Sequence, residues 1–392
     1  GNILTGDSAA ASRYIEARIS KFGHDVLYSP KITEWGMSYD GRRAEPINLP
    51  VKFPLLLAQG AEGIAVGLAT KVMPHNFVEL LDASIEILKG NRSNILPDFF
   101  TGGMADFSNY NEGMRGGRIR VRAKITEKDK KTLVITEVPY STTTGSVIDS
   151  ILAANDKGKI KIKKIEDNTA AEAEILIHLA PGVSPDKTID ALYAFTDCEV
   201  SISPNSSIID KDRPRFMGVT EILKHNTDNT VRLLKLELEI RLDELERQWH
   251  FSTLEKIFIQ EEMYIEFKHY SDRETLYAYL YKRFDKFKKQ LIRDIVDEDL
   301  QRLAQIPMIR ITRFDSDKAN DTILKLEEEM EQVKHHLANL IAYAIDYFTN
   351  IQKKYGKGKI SKEELRDTRF QKAFLKLGIN NAELHEHFNA EY

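Results

Sequence analysis

The hydrophobic pattern along this chain changes its period near residue 215. From about residue 30 onward, short runs alternate apolar with polar positions; after Pro214 the apolar residues step by three and four. A period of two marks strands with one buried face, and a 3–4 step marks helices with one apolar stripe. GRIRVRAKI (117–125), TLVITEV (132–138), KIKIKKI (159–165) and AEILIHL (173–179) therefore read as strands, with helices over 76–89 and 185–195 among them. A further short apolar strand is expected between the prolines near residues 50–58. The opening segment, 1–29, reads as helix-bearing.

Beyond Pro214 the residues Val231, Leu234, Leu238, Leu242, Leu245 and Trp249 predict an amphipathic helix over 219–260. A second run, Ile323, Leu326, Met330, Val333, Leu337, Leu340, Ala344, Tyr347 and Ile351, keeps gaps of three and four throughout. That is a coiled-coil seam, and two such helices can pair antiparallel. The intervening 262–312 would cap their far end and is rich in Tyr and Phe, among them Tyr264, Phe267, Tyr277 and Phe284. A small cap buries little by itself, so these aromatics read either as its core or as a dimer contact. A bundle packed on its own domain is the plainer alternative to an extended coil.

The expected fold class is α+β. A mixed α/β domain (30–215) precedes a long antiparallel coiled coil (216–261 and 313–355) with a small helical dimerisation domain (262–312) at its tip. The segment 356–392 then reads as a charged helical connector. A chain of 392 residues accommodates these divisions.

Composition narrows the chemistry. The formal charge is −4 with 30% charged residues, so any affinity for nucleic acid requires segregation of charge along the chain. Cys198 is the only cysteine, which excludes an internal disulfide framework and cysteine-rich zinc sites and suits a reducing, cytoplasmic setting. No run approaches the ~18 apolar residues of a spanning helix. The pairs His335/His336 and His385/His387 lack ligand-spaced carboxylates or cysteines and read as surface residues, so no metal site is expected.

Three stretches could carry chemistry. Arg13–Tyr14 sets a phenol beside a guanidinium. A phenol, with a pKa of about 10, is a poor nucleophile unless a cation stabilises its anion and the phosphate it attacks. The plainer reading is a Tyr packed beside a solvated Arg. In QGAEGIAVG (59–67), glycines flank Ile64, which would stand on a tight hairpin as a wedge between bases or else be an ordinary buried strand residue. Finally, Arg118, Arg120, Arg122 and Lys124 alternate with apolar residues, as do Lys157, Lys159, Lys161 and Lys163. Each set would line one sheet face, available to phosphates or merely solvated.

Taken together, GDSAAASRYIEARI (6–19), PVKFPLLLAQGAEGIAVGLATKVMPHN (50–76) and PDFFTGG (97–103) resemble the A subunit of bacterial type IIA DNA topoisomerases, gyrase and topoisomerase IV. The resemblance runs from residue 1 to about 355, and the spelling leans towards the topoisomerase IV branch. It implies that Tyr14 is the nucleophile forming a 5′-phosphotyrosine, with Arg13 its catalytic neighbour. It implies that Ile64 enters the DNA stack. It further implies that Lys52 and the basic strands, Arg118, Arg120, Arg122, Lys159, Lys161 and Lys163, contact DNA from the family's tower domain, 30–215.

The resemblance also implies partners and cofactors. They are double-stranded DNA, a second A subunit meeting the first through the tip, and a B subunit that supplies ATP hydrolysis and Mg²⁺, a heterotetramer overall. Residues 1–29 would end a winged-helix domain lying upstream, so residues 1–392 are expected not to cleave DNA without that region and the B subunit. A non-enzymatic DNA-binding coiled-coil scaffold is the alternative. Departures from the family spelling include Ile15, Gln59, Met73 and Glu62, whose charge would lie near the DNA path.

Overall fold

The computed structural model describes residues 4–16, 18–99, 101–210 and 213–356. The expected connector beyond Gly356, with His385/His387, lies outside these residues. The chain divides into two compact units. One holds the described residues up to Thr230 and from Ala344 onward; the other is Val231–Tyr343.

The first unit begins with a 3-10 turn, Ser12–Tyr14, and a short helix α1 (Lys21–Val26) capped by the Ser20 hydroxyl. A two-stranded hairpin follows, β1 (Glu34–Met37) with β2 (Ala44–Asn48). The proline-bracketed apolar run forms a helix, α2 (Leu55–Gln59), rather than the expected strand. Its apolar residues are continuous rather than alternating, and such a run does not distinguish a helix from a buried strand. A second hairpin joins β3 (Ala61–Ala65) to β4 (Leu68–Val72) and leads into α3 (Phe77–Leu88). Asn76 caps α3 by accepting from the Val78 and Glu79 amides, while Phe77, Leu80, Leu81 and Ile85 bury one face.

Two sheets complete this unit. The three-stranded one places β6 (Arg118–Arg122) between β5 (Ala105–Asn109) and β11 (Glu199–Ile202). The four-stranded antiparallel one has the order β7-β8-β10-β9, built from β7 (Lys124–Asp129), β8 (Thr132–Glu137), β9 (Ile162–Asp167) and β10 (Ile175–Leu179). Its core also takes side chains from α4 (Thr144–Asp156) and α5 (Pro185–Phe195), including Val147, Ile151 and Leu192. A last hairpin, β12 (Ser207–Asp210) with β13 (Arg213–Phe216), leads to α6 (Val219–Gln260), a helix of 42 residues over the span its periodicity predicts.

In the second unit, α7 (Arg273–Phe284), α8 (Asp297–Ala304) and α9 (Met308–Thr312) form a cap with 3-10 turns at 263–269 and 285–290. The cap has a core of its own, in which Phe258, Met263, Tyr277, Leu280, Phe284 and Leu300 are buried. Several of the tip aromatics are thus core residues. Helix α10 (Ser316–Ala338) lies antiparallel to α6: Arg241 bonds Glu329, Trp249 bonds Glu327 and Gln260 bonds Ser316. Leu238, Leu245, Met330 and Val333 fill the seam. The second seam run is not one helix; Asn339 leaves helical geometry, and α11 (Leu340–Tyr355) continues it into the first unit.

Within the first unit, the end of α11 packs beside α1. The Phe22 ring stands edge-on to Phe53, Phe77 and Tyr355 with centroids 5.3, 5.6 and 5.1 Å away. Asp25 accepts hydrogen bonds from Lys354 and from the Tyr355 hydroxyl. These contacts fix the segment that follows Tyr14, while the Leu4 carbonyl accepts the Thr144 amide and fixes the segment before it.

Candidate functional site

Between those two anchors the chain is exposed. Tyr14 ends the 3-10 turn with its side chain 74% exposed. The Arg13 guanidinium carbon lies 4.7 Å from the centroid of its ring. The cation therefore covers the face of the phenol, and among the described residues neither side chain makes a hydrogen bond or ion pair. The pair is adjacent, accessible and uncommitted.

The β3–β4 hairpin carries the second candidate. Ile64 is 92% exposed, and Val66 and Leu68 beside it are exposed as well. Ile64 is therefore not a buried strand residue. The hairpin needs two of its glycines. Gly67 takes φ +77° in the turn, and Gly60, at φ +75°, enters so close to the exit strand that a Cβ would meet the Val72 carbonyl at 2.7 Å. Glu62 stands opposite Lys71 in the register, and their charges meet at 2.9 Å. The negative charge expected near the DNA path is thus balanced within the hairpin, by a residue sequence reasoning missed. Cross-strand register was the signal: the two flank the same turn at equal distance.

Beneath the hairpin, His75 is fully buried and donates from Nδ1 to the Leu57 carbonyl at 3.0 Å. Burial, which disfavours its charged form, pushes its pKa down to about 4, against the partial support of two backbone bonds.

The basic residues separate into three states. Lys52 is only 7% exposed; its ammonium lies 5.8 Å from the Tyr347 ring and near Asp25, so it is a buried partner of the core and offers no surface to DNA. On β6, Arg120 meets Asp106 at 2.8 Å, Arg122 meets Glu199 at 2.5 Å and Arg118 donates to the Ser201 hydroxyl at 2.6 Å. Lys159, Lys161 and Lys163 are exposed and have no ion pair among the described residues; Lys159 rests 5.5 Å from the Phe195 ring. No group of three or more His, Cys, Asp or Glu among the described residues is arranged to hold a metal ion, and none of their helices is long and apolar enough to cross a membrane.

An exposed Arg–Tyr pair, a two-stranded hairpin with exposed apolar side chains and a pair of long antiparallel helices thus stand on one chain. The chain belongs to the family of DNA gyrase and topoisomerase IV A subunits, whose model matches residues 1–349. It is 38% identical to the A subunit of DNA topoisomerase 4 from Borreliella burgdorferi over 94% of this chain and 58% of that protein. Identity to the A subunit of DNA gyrase from Chlamydia trachomatis is 27%, over 86% of this chain and 42% of that one. The gyrase A subunit of Staphylococcus epidermidis is 26% identical over 90% and 41%. The chain spans about half the length of the curated relatives it matches.

Proposed function

We propose that the chain is the strand-breaking and rejoining part of an ATP-dependent type II DNA topoisomerase, acting in decatenation and relaxation. The observation that carries this reading is the exposed, uncommitted Arg13–Tyr14 pair in a chain of this family. The Tyr14 oxygen attacks a backbone phosphorus, the new O–P bond forms as the bond to the 3′ oxygen breaks, and Tyr14 retains the 5′ end. The bond is exchanged rather than hydrolysed, so the reverse attack by the 3′ hydroxyl reseals the strand. Arg13 swings from the ring face onto the phosphate, where its fork matches two oxygens.

Ile64 enters a base step and bends the duplex, and the unpaired lysines of β9 and its approach hold the flanking phosphates. Arg118, Arg120 and Arg122 take the lesser part, since their partners already occupy them. Two copies meet through the cap. Its aromatics fill its own core, so that contact falls to exposed residues such as Ile292, Val296, Met308 and Ile309. The B subunit supplies ATP hydrolysis and holds the Mg²⁺ that assists phosphoryl transfer in the assembled heterotetramer.

The test is Tyr14→Phe in the full-length protein assembled with its B subunit. Covalent protein–DNA adducts should disappear while DNA binding persists. Adducts that survive the substitution leave Tyr14 inert and favour a DNA-binding scaffold.

A further inference from the structure

A two-stranded hairpin by itself holds its shape weakly in water. The β3–β4 hairpin presents exposed side chains from Glu62 to Leu68, so little packing supports its tip. Yet a wedge must resist bases that restack against it, a cost of a few kcal/mol per step.

The outer edge of β4 is held chiefly by one residue in the loop before β12, with a longer bond from Ser207 beside it. Asn205 exchanges two backbone hydrogen bonds with Lys71, at 2.9 and 3.0 Å. Its side-chain Nδ2 then donates to the Ala69 carbonyl at 2.6 Å. The Thr70 hydroxyl donates to the Asn205 carbonyl at 3.4 Å and accepts the Ser207 amide at 3.4 Å. The side-chain amide thus stands in for the next rung of a ladder, reaching one rung further towards the turn than the backbone bridge does. Ala69 is the residue directly opposite Ile64 in the hairpin register.

We propose that Asn205 is the positioning residue for Ile64. It makes a third edge for the hairpin and carries the load on the wedge, through Ala69, into the strand pair that leads to α6. The proposal rests on the reading that Ile64 enters DNA. Nothing in the local sequence SISPNSSII announces this role, because the contact spans 136 residues.

The experiment uses the full-length protein in complex with its B subunit, mixed with a linear duplex labelled at both ends, and bending is read by energy transfer. Ile64→Ala is the control for the underlying reading: if it bends DNA as the parent does, Ile64 is not the wedge. Given loss of bending there, Asn205→Ala should lower the bent fraction about three- to tenfold, from one hydrogen bond lost, with DNA affinity and melting temperature little changed. Asn205→Asp should lower it further, since it sets two acceptors face to face. Full bending in either folded variant overturns the proposal. Amide exchange on the unsubstituted protein gives an answer independent of the variants: the β3–β4 amides should exchange as slowly as those of β12, and fast exchange there overturns it as well.

Discussion

Strand β6 and the region of β9 both carry cations at alternate positions, and the fold gives them opposite states. β6 lies at the centre of its sheet, with Asp106 of β5 opposite Arg120 and Glu199 of β11 opposite Arg122. Both arginines face carboxylates on neighbouring strands, and Ile119 and Val121 on the other face are fully buried. β9 is an edge strand, so acidic partners can reach it from one side only. Lys163 is moreover the extra residue of a bulge, with Ile162 paired to Leu179 and Lys164 to His178. The bulge lets Ile162 and Ile165 both pack towards the core and leaves Lys161 and Lys163 in water. Unpaired lysines on an edge also deter pairing with another sheet. Alternation of charge thus places cations on a face, but the neighbouring strands decide whether the charge remains available.

The largest expected effect sets the pH range in which this contrast can be tested. His75 stays neutral in the fold down to about pH 4, whereas the unfolded chain takes up its proton below about 6.5. The unfolded state binds more protons in that window, so stability falls as pH drops from 6.5 towards 4, by about 3 kcal/mol. Urea unfolding against pH should reveal this slope, and His75→Asn should flatten it. Asp106 acts in the same direction but at lower pH. Bonds from Ser108 and the Arg120 guanidinium hold its carboxyl well below the usual range, so its contribution, present above the ordinary carboxylate value, is lost only as pH falls through that lowered pKa. The Arg120 pair therefore persists throughout the window.

Next comes DNA affinity. Replacing Lys159, Lys161 and Lys163 by Gln should reduce the slope of log K against log salt by about two to three, and affinity on the order of a hundredfold at about 0.1 M salt. Gln at Arg120 and Arg122 should change the slope by less than about one. Equal slopes from the two sets would break the comparison, and an unchanged slope from the lysine set would leave those residues as edge protection alone.

A smaller effect would sharpen it. Asp106→Asn combined with Glu199→Gln frees Arg120 and Arg122, and should raise the salt slope by up to about two and tighten DNA binding. No gain would mean that this face does not meet phosphate at all. The smallest effect is on stability: Arg120→Gln should cost below about 1 kcal/mol in urea unfolding, because its partner is exposed as well.

Much of the fold was legible because local periodicity specifies it. Helix α6 needed only the spacing of its leucines, and β8 and β10 needed only alternation. The short α2 was not legible, since the continuous apolar run of four residues, 55–58, fits either state. Nor was the interruption at Asn339, because the 3–4 gaps run through it unbroken. Of the candidate site, Arg13–Tyr14 and Ile64 are brought out by the fold as exposed groups, whereas Lys52 is not. It is a lone cation between Val51 and Phe53 in an apolar stretch, and the approach of Tyr347 and Asp25, distant in sequence, accompanies its burial.

By itself, then, the sequence determined where most of the helices and strands run, which residues alternate and which motifs the chain carries. These depend on neighbours a few residues apart. Only the tertiary structure decided which cations of β6 are balanced and what braces the hairpin of Ile64. Those outcomes depend on Asp106, Glu199 and Asn205. Long-range packing brings each to its partner, and local periodicity carries no record of it.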